Sequence, residues 1–180
     1  MIHFPPFRFS AFLLVSAALL NGCCANNVCD CNDAEADAIT LRFSTDVAVG
    51  GVFAITDLDT IIIQRYPKNF TLSTKPETVT LLRTAAQVRD SILLNNNAPF
   101  TQTGGSKLNR YRYVVQYLKQ MPGSKPVATT ALVIDSVRLR GNLDGSGCCT
   151  CYTNTEKTVF LNGDPIGKDV KANSIITINK

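Results

Sequence analysis

The chain contains one histidine and no tryptophan in its 180 residues, and the single histidine is His3. A domain with no other histidine lacks the side chain used in Ser-His-Asp and Cys-His sites, in His-ligated zinc sites and as an imidazole general base. Without tryptophan it also lacks the indole rings that often stack against sugars. These absences exclude most catalytic classes, so we expect a protein that is not an enzyme.

Nucleotide and nucleic-acid binding are also unsupported by the sequence. Neither of the glycine-rich loops that cradle phosphates, G-x-x-x-x-G-K-[ST] and G-x-G-x-x-G, occurs in the chain. The formal net charge is only +4, and the basic residues are spread along the chain, whereas a nucleic-acid-binding domain usually carries a concentrated basic patch. We therefore expect no nucleic-acid partner and no cofactor.

An apolar stretch at residues 12–20 is too short to span a membrane, which takes about 20 residues. Its length suits the hydrophobic region of a secretory signal peptide. It closes on Leu20-Asn21-Gly22-Cys23, which resembles the lipobox of bacterial lipoprotein precursors. In that family the cysteine receives a diacylglycerol group, and signal peptidase II cleaves the chain immediately before it. The resemblance therefore implies a signal peptide at residues 1–22.

The same resemblance implies attachment to the outer membrane through lipid on Cys23, without spanning. Each buried methylene contributes roughly 0.8 kcal/mol, so two or more acyl chains such as palmitate hold firmly. Residues 23–37 would then form a lipid anchor and Cys-rich tether, and residues 38–180 the folded domain. Acidic residues in the tether resemble the export signals of surface lipoproteins in Bacteroidota, but the periplasmic face and the cell surface both remain open. The alternatives to lipidation are an ordinary signal peptide cut elsewhere and an uncleaved anchor.

Seven cysteines form two clusters, one near each end of the chain. If Cys23 carries lipid, six remain, and six thiols allow 15 disulfide connectivities. Adjacent cysteines and Cys-x-Cys pairs would close small, strained rings, so we expect the bridges to join one cluster to the other. The candidates for disulfide bonds are Cys24, Cys29, Cys31, Cys148, Cys149 and Cys151.

The spacing of the cysteines indicates how two strands could be linked. Cys29 and Cys31 share one face of an extended chain, and so do Cys149 and Cys151. Two neighbouring strands could carry two cross-links, and the two remaining cysteines would form a third. The alternative is a thiolate site for zinc or copper(I), but Cys-Cys and Cys-x-Cys spacings dominate both clusters, and the Cys-x-x-Cys spacing of zinc knuckles and redox centres occurs only once, at Cys148 and Cys151. Because exported proteins meet oxidising conditions, we expect disulfides and no metal.

Short β-prone segments separated by turns dominate the domain. A template of a polar residue, Thr or Ser, a β-branched residue and an apolar stretch recurs, and it predicts eight or nine short strands. The expected strands are 38–43, 59–65, 77–83, 90–95, 110–119, 129–133, 135–140, 157–162 and 174–179. A short helix is expected only at 84–90, a hairpin turn at Asn162-Gly163 and a flexible loop at 141–147. The pattern predicts an all-β fold, an antiparallel β-sandwich of immunoglobulin-like type stapled by disulfides, with a jelly roll or small β-barrel as alternatives.

One predicted strand carries a candidate binding surface. Tyr111, Tyr113 and Tyr117 share one face of the strand, while Arg110 and Arg112 lie on the other. This arrangement could form an aromatic ligand platform with a basic rim. The alternative is an amphipathic strand whose tyrosines pack in the core.

Two groups of oxygen-bearing side chains are weaker candidates. Asp57 and Asp59 lie two residues apart, and paired carboxylates can serve glycoside hydrolysis, although such residues at a turn more often cap the backbone. Asn142, Asp144 and Ser146 alternate as in calcium loops but lack the terminal Glu of those loops.

These observations predict a membrane-anchored lipoprotein with a non-enzymatic β-sandwich that has a binding or envelope-structural role. The expected partners are the membrane itself, through Cys23, and an envelope protein or glycan. The alternatives are a lipoprotein that handles zinc or copper through thiolates, and a carboxylate-dependent glycan hydrolase.

Overall fold

The computed structural model describes residues 29, 31, 36–47, 50–101, 107–146, 149–171 and 174–180. Nine strands and three short 3-10 helices form within these ranges, and the predicted all-β class is confirmed. The strands are β1 Ile39–Phe43, β2 Thr60–Pro67, β3 Glu77–Leu82, β4 Ile92–Leu94, β5 Tyr111–Lys119, β6 Val127–Ser146, β7 Cys149–Leu161, β8 Lys168–Asp169 and β9 Ile175–Ile178. The 3-10 helices are Ile55–Asp57, Gln87–Arg89 and Leu108–Arg110, the second lying in the segment with the predicted helical pattern.

The strands form two sheets that share one core. The three-stranded sheet has the order β4-β1-β9, and the six-stranded sheet has the order β3-β2-β5-β6-β7-β8. Adjacent strands are antiparallel throughout the larger sheet, while in the smaller one β1 pairs antiparallel with β4 and parallel with β9. Among the described strands neither sheet closes on itself, so the fold is a sandwich and not a barrel.

The core follows from side chains alternating between the two faces of each strand. On β2, Ile61 and Ile63 are fully buried, and on β1 Leu41 is fully buried as well. Their neighbours along the chain are only partly buried or exposed. Burying an aliphatic side chain of this size stabilises the fold by roughly 1.5–3 kcal/mol. The apolar faces of the two sheets therefore hold the sandwich together.

The hairpin of β6 and β7 is longer than the sequence pattern predicted. β6 runs for 20 residues and β7 for 13, so the short strands expected near residues 129–140 merge into one. Register shifts after Ile134 and after Arg140 let the long strand continue as it bends. The expectation of a flexible loop at 141–147 is wrong for residues 141–146, because their backbone pairs with β7 as far as Ser146 opposite Cys149.

We call the distal part of this hairpin, residues 141–146 and 149–154, the arm. β6 pairs with β5 only as far as Ile134, and β8 reaches β7 only at Thr158 and Val159. Within the described sheet, the two strands of the arm therefore have only each other as strand partners. The side chains of residues 142–145 are exposed, and Leu143 retains 68% of its accessible surface.

The predicted turn at residues 162 and 163 forms after β7. Both residues have positive φ, 51° at Asn162 and 79° at Gly163, and Asp164 N donates to Leu161 O at 2.8 Å. Two central residues in this conformation define a type I′ turn. The side chain of Asn162 also accepts a hydrogen bond from Val133 N at 2.9 Å, so the turn is fixed against β6.

Candidate functional site

Two disulfides join the two cysteine clusters. Cys29 is bonded to Cys149 and Cys31 to Cys151, with Cα–Cα distances of 5.4 Å and 5.2 Å. The bonds use alternate residues on β7, so both sulfur atoms leave the strand in the same direction. The predicted cross-linking between clusters is confirmed for these four cysteines, which are consequently not free thiolates that could bind metal.

Three of the predicted site cysteines lie outside the described residues. They are Cys23, the predicted site of lipidation, and Cys24 and Cys148, the predicted third pair. The pairing of those two therefore stays a prediction.

Beyond the disulfides, the chain continues in the same direction as β7. Asn154 Nδ2 donates to Ala36 O and, at 3.4 Å, to Asp37 Oδ1, and Lys157 Nζ donates to Ala38 O at 2.8 Å. The sequence separation of the contacts stays between 117 and 120 from Cys29 to Ala38. The described residues of the predicted tether (29, 31, 36 and 37), with Ala38 after them, therefore follow β7 in parallel.

The described part of the tether lies beside an edge of the larger sheet. β8 pairs with β7 only at Thr158 and Val159, and the tether contacts the earlier part of β7 through the two disulfides and Asn154. Bare edges invite pairing with other chains, and proteins commonly cover them. After Ala38 the chain enters β1, the central strand of the smaller sheet.

A polar cluster around Asp37 fixes the tether where it meets the sandwich. One carboxylate oxygen accepts from Asn96 Nδ2 at 3.3 Å and the other from Asn154 Nδ2 at 3.4 Å. Burial raises the pKa of Tyr152, and the nearby Asp37 carboxylate raises it further. Through these two hydrogen bonds Asp37 joins the tether to β7 and to the segment after β4.

Tyr152 also lies directly over Gly141 in the arm. An added Cβ at Gly141 would stand 2.5 Å from the ring carbon Cζ and from the hydroxyl oxygen of Tyr152, and 2.7 Å from Thr153 O. At Gly145, in the same strand, the nearest atom would be Thr150 Oγ1 at 3.9 Å. The tyrosine thus occupies space that only glycine leaves free.

Gly141→Ala is expected to destabilise the protein by about 1–3 kcal/mol, since the new methyl group must displace both Tyr152 and the β7 backbone. Gly145→Ala is the matched control, because it adds the same group to the same strand in open space. Urea denaturation followed by circular dichroism measures both changes. Equal stability of the two variants would contradict the proposed packing of Tyr152 on Gly141.

The tyrosines and arginines of the predicted binding surface on β5 have different surroundings in the structure. Tyr113 and Tyr117 are buried, with 1% and 4% exposure, and Tyr111 is partly buried on the same face. The ring of Tyr117 packs edge-on against Phe53 with 5.0 Å between centroids. The tyrosines are therefore core residues, as the alternative interpretation held, and do not line an open platform. Side chains alternate along β5, and the face with Tyr113, Val115 and Tyr117 packs in the core that the two sheets share.

The two arginines of that candidate surface lie apart from the buried rings. Arg112 forms an ion pair with Asp135 at 3.3 Å, and Arg110 is exposed in the 3-10 helix that precedes β5. The Tyr113 hydroxyl donates to Leu108 O at 3.1 Å. Burial raises the pKa of Tyr113 well above its ordinary value, and the charge of Arg65 partly offsets this.

Arg65 is a buried charge that the sequence interpretation did not single out. Its side chain is 3% exposed, and the guanidinium Cζ lies 4.6 Å from the ring centroids of both Phe100 and Tyr111. Nη2 pairs with Glu77 Oε2 at 2.7 Å, while Nε is buried without a hydrogen-bond partner. The burial of Arg65 could have been predicted from the sequence, because residues 61, 63 and 65 lie on the same face of β2 and Ile61 and Ile63 point into the core. The same reasoning applies to the buried Lys157, which lies on the same face of β7 as the buried Val159.

A groove of about 330 Å³ lies between the edge strands β3 and β4. It is lined by Leu81, Ile92 and Pro99, among others, and Arg83 lies at its side. Nη2 of Arg83 donates to Gln87 O and Asp90 O. Burial lowers the pKa of Arg83, and the charge of Asp90 partly restores it. The guanidinium thus fastens the 3-10 helix Gln87–Arg89 to the end of β3.

The two carboxylates that were predicted as a pair, Asp57 and Asp59, differ in their exposure to solvent. Asp57 is 6% exposed; its Oδ1 accepts from Gln120 N at 3.1 Å and its Oδ2 pairs with Lys180 Nζ at 3.3 Å. Asp59 is exposed at the surface. Asp57 therefore ties the 3-10 helix Ile55–Asp57 to Gln120 and to the C-terminal Lys180, which are contacts between distant parts of the chain and not the local capping that the alternative expected.

The other oxygen-rich candidate lies in the arm. Asn142 and Asp144 belong to β6, opposite Thr153 and Cys151, instead of forming a loop. In the part of the chain that the structure describes, no group of three or more His, Cys, Asp or Glu residues is placed to hold a metal ion.

Within the described ranges, no helix is both long enough and apolar enough to cross a bilayer. Comparison with known proteins found no matching family model, no matching curated protein and no matching solved structure.

Proposed function

We propose that this chain is a lipoprotein anchored in the outer membrane through Cys23, which displays a non-enzymatic β-sandwich with a binding or structural role in the envelope. The anchor accounts for the apolar segment at 12–20 and for the Gly22-Cys23 pair that closes it. A diacylglycerol with a further acyl chain holds a protein firmly to a bilayer without a spanning segment. The periplasmic face and the cell surface are both compatible with this attachment.

The observation that carries the proposal is the pairing of Cys29 with Cys149 and of Cys31 with Cys151. Disulfides persist in exported proteins, whereas cytosolic thiols are kept reduced. Seven cysteines cannot all pair with one another, but six can once Cys23 is acylated. Oxidation of the described pairs therefore supports both export and a separate role for Cys23.

Acylation of Cys23 is tested by labelling cells with radioactive palmitate. We expect the native chain to take up label and to sediment with outer membranes, and the Cys23→Ser variant to do neither. Globomycin, which blocks signal peptidase II, should cause a longer precursor to accumulate from the native chain only. Cys29→Ser is the control, because it removes a neighbouring cysteine that is already bonded to another sulfur.

Two results would refute the anchor. One is an unlabelled native chain that fractionates with soluble proteins, and the other is equal labelling of the native chain and the Cys23→Ser variant. Alkylation of the native protein before and after reduction is a separate check. We expect no reactive thiol before reduction, because Cys24 and Cys148 should also be paired.

A further inference from the structure

The distance along the chain from the anchor to the first disulfide is short. From Cys23 to Cys29 the chain advances six residues, which span at most about 20 Å when fully extended. Cys29 is bonded to Cys149, the first residue of β7, at the tip of the arm. Since the Cα atoms of Cys29 and Cys149 are 5.4 Å apart, the tip of the arm stays within about 25 Å of Cys23, and of the lipid surface if Cys23 is acylated as the proposed function holds.

The opposite end of the sandwich lies far from this point. β6 runs from Ser146 at the tip to Val127, and 20 residues of strand span up to about 65 Å. Val127 pairs with Lys119 at the end of β5, and the loop that joins these two strands contains Met121. The Met121 loop is therefore at the other end of the longest strand from the anchor.

We infer that the arm is the membrane-facing surface of the domain and that the Met121 loop points away from the bilayer. The inference rests on the proposed lipid anchor and adds the orientation of the domain on it. The disulfides impose this orientation. Once the cysteines no longer hold the chain, the next residue along the chain with a described contact is Ala36, and 13 residues from Cys23 reach about 45 Å.

Charge attraction to the bilayer does not explain the orientation. The exposed residues 142–145 include one acid, Asp144, and no Lys or Arg, so this part of the arm carries no polybasic patch for anionic lipids. Leu143 is 68% exposed among them. The proximity of the arm to the membrane should therefore depend on the disulfides and not on ionic strength.

The absence of tryptophan permits a direct test. Leu143→Trp places a single tryptophan in the arm, and Met121→Trp places one at the opposite end; both replace exposed apolar residues, 68% and 42% accessible. Each acylated mature protein, residues 23–180, is reconstituted into vesicles of phosphatidylethanolamine and phosphatidylglycerol that contain a small fraction of dansyl-labelled lipid. Energy transfer from tryptophan to dansyl then reports the distance from each position to the bilayer.

We expect several-fold greater transfer from position 143 than from position 121. Reduction with dithiothreitol should lower the transfer from position 143 by at least half, while raised salt should leave it unchanged. Thr150→Trp, which replaces another exposed residue of the arm, provides a second probe if the first variant folds poorly. Because reduction also lowers the stability of the domain, it is carried out in concentrated sucrose, which favours the folded state, and circular dichroism checks that the sandwich remains folded.

The outcomes separate the orientation from the anchor. Equal transfer from both positions, or greater transfer from position 121, overturns the orientation even though the protein stays on the vesicles. Transfer from position 143 that survives reduction in a folded protein overturns the role of the disulfides. Loss of the protein from floated vesicles refutes the anchor itself, and the orientation with it.

Discussion

Removal of both described disulfides is expected to destabilise the domain by about 7 kcal/mol, whereas removal of either one alone should cost only about 2 kcal/mol. Each of the two bonds closes a loop with a sequence separation of 120. Whichever bond remains keeps that long loop closed, so a single loss frees only the few residues between the two bonds. The long-loop contribution, about 5 kcal/mol in the chain-entropy model, disappears only when both are gone.

The measurement is urea denaturation of residues 23–180 with Cys23→Ser, Cys24→Ser and Cys148→Ser. In this background Cys29 and Cys149 are changed to serine as one pair, the other bonded pair as a second, and then both pairs together. The two single-pair variants serve as controls for each other and should agree closely. An additive result, in which the double loss equals the sum of the single losses, would contradict the shared-loop explanation. Since domains have total stabilities of about 5–15 kcal/mol, the double variant is close to unfolding.

The all-β class could be predicted because each strand carries its own local signal. In β2, Ile61 and Ile63 alternate with less buried residues, and this pattern needs no knowledge of the partner strands. The turn at Asn162-Gly163 was predictable for a similar reason, since few residue pairs accept positive φ at both positions. Features of this kind depend on a few neighbouring residues.

The length of the arm could not be predicted in the same way. Gly141 and Gly145 suggested a loop, because glycine weakens an isolated strand. In the structure the two strands of the arm satisfy each other's backbone groups, and Gly141 is required by the ring of Tyr152 above it. That requirement comes from a residue on the partner strand, so the pattern within β6 contains no sign of it.

The candidate site was predicted in part. The parity of the cysteines indicated that Cys29 and Cys31 face one partner strand, and the structure confirms this. The parallel course of the tether along β7 was not predictable, because Asp37 and Asn154 gain their significance from contacts separated by 117 residues. The burial of Tyr113 follows from the packing of the two sheets against one another, which the pattern of one strand does not determine.

The second large effect is expected at Arg65, where shape and charge can be separated. Arg65→Ala should destabilise the domain by about 3 kcal/mol, because it leaves a cavity between the rings of Phe100 and Tyr111. Arg65→Met keeps most of the volume and removes the charge, and it should cost less than about 1.5 kcal/mol. Glu77 is 56% exposed, so water can solvate its carboxylate once the arginine is gone.

Glu77→Gln completes the comparison, because it keeps the buried guanidinium and removes its charged partner. We expect a loss of about 1–2 kcal/mol, since a hydrogen bond to a charged group is replaced by one to a neutral amide. Urea denaturation of the four proteins, including the native chain, gives the order native, Arg65→Met, Glu77→Gln, Arg65→Ala, with the middle two close together. Our explanation is wrong if Arg65→Met proves as unstable as Arg65→Ala. In that case the charge of Arg65, and not its filling of the space between the rings, stabilises this part of the core.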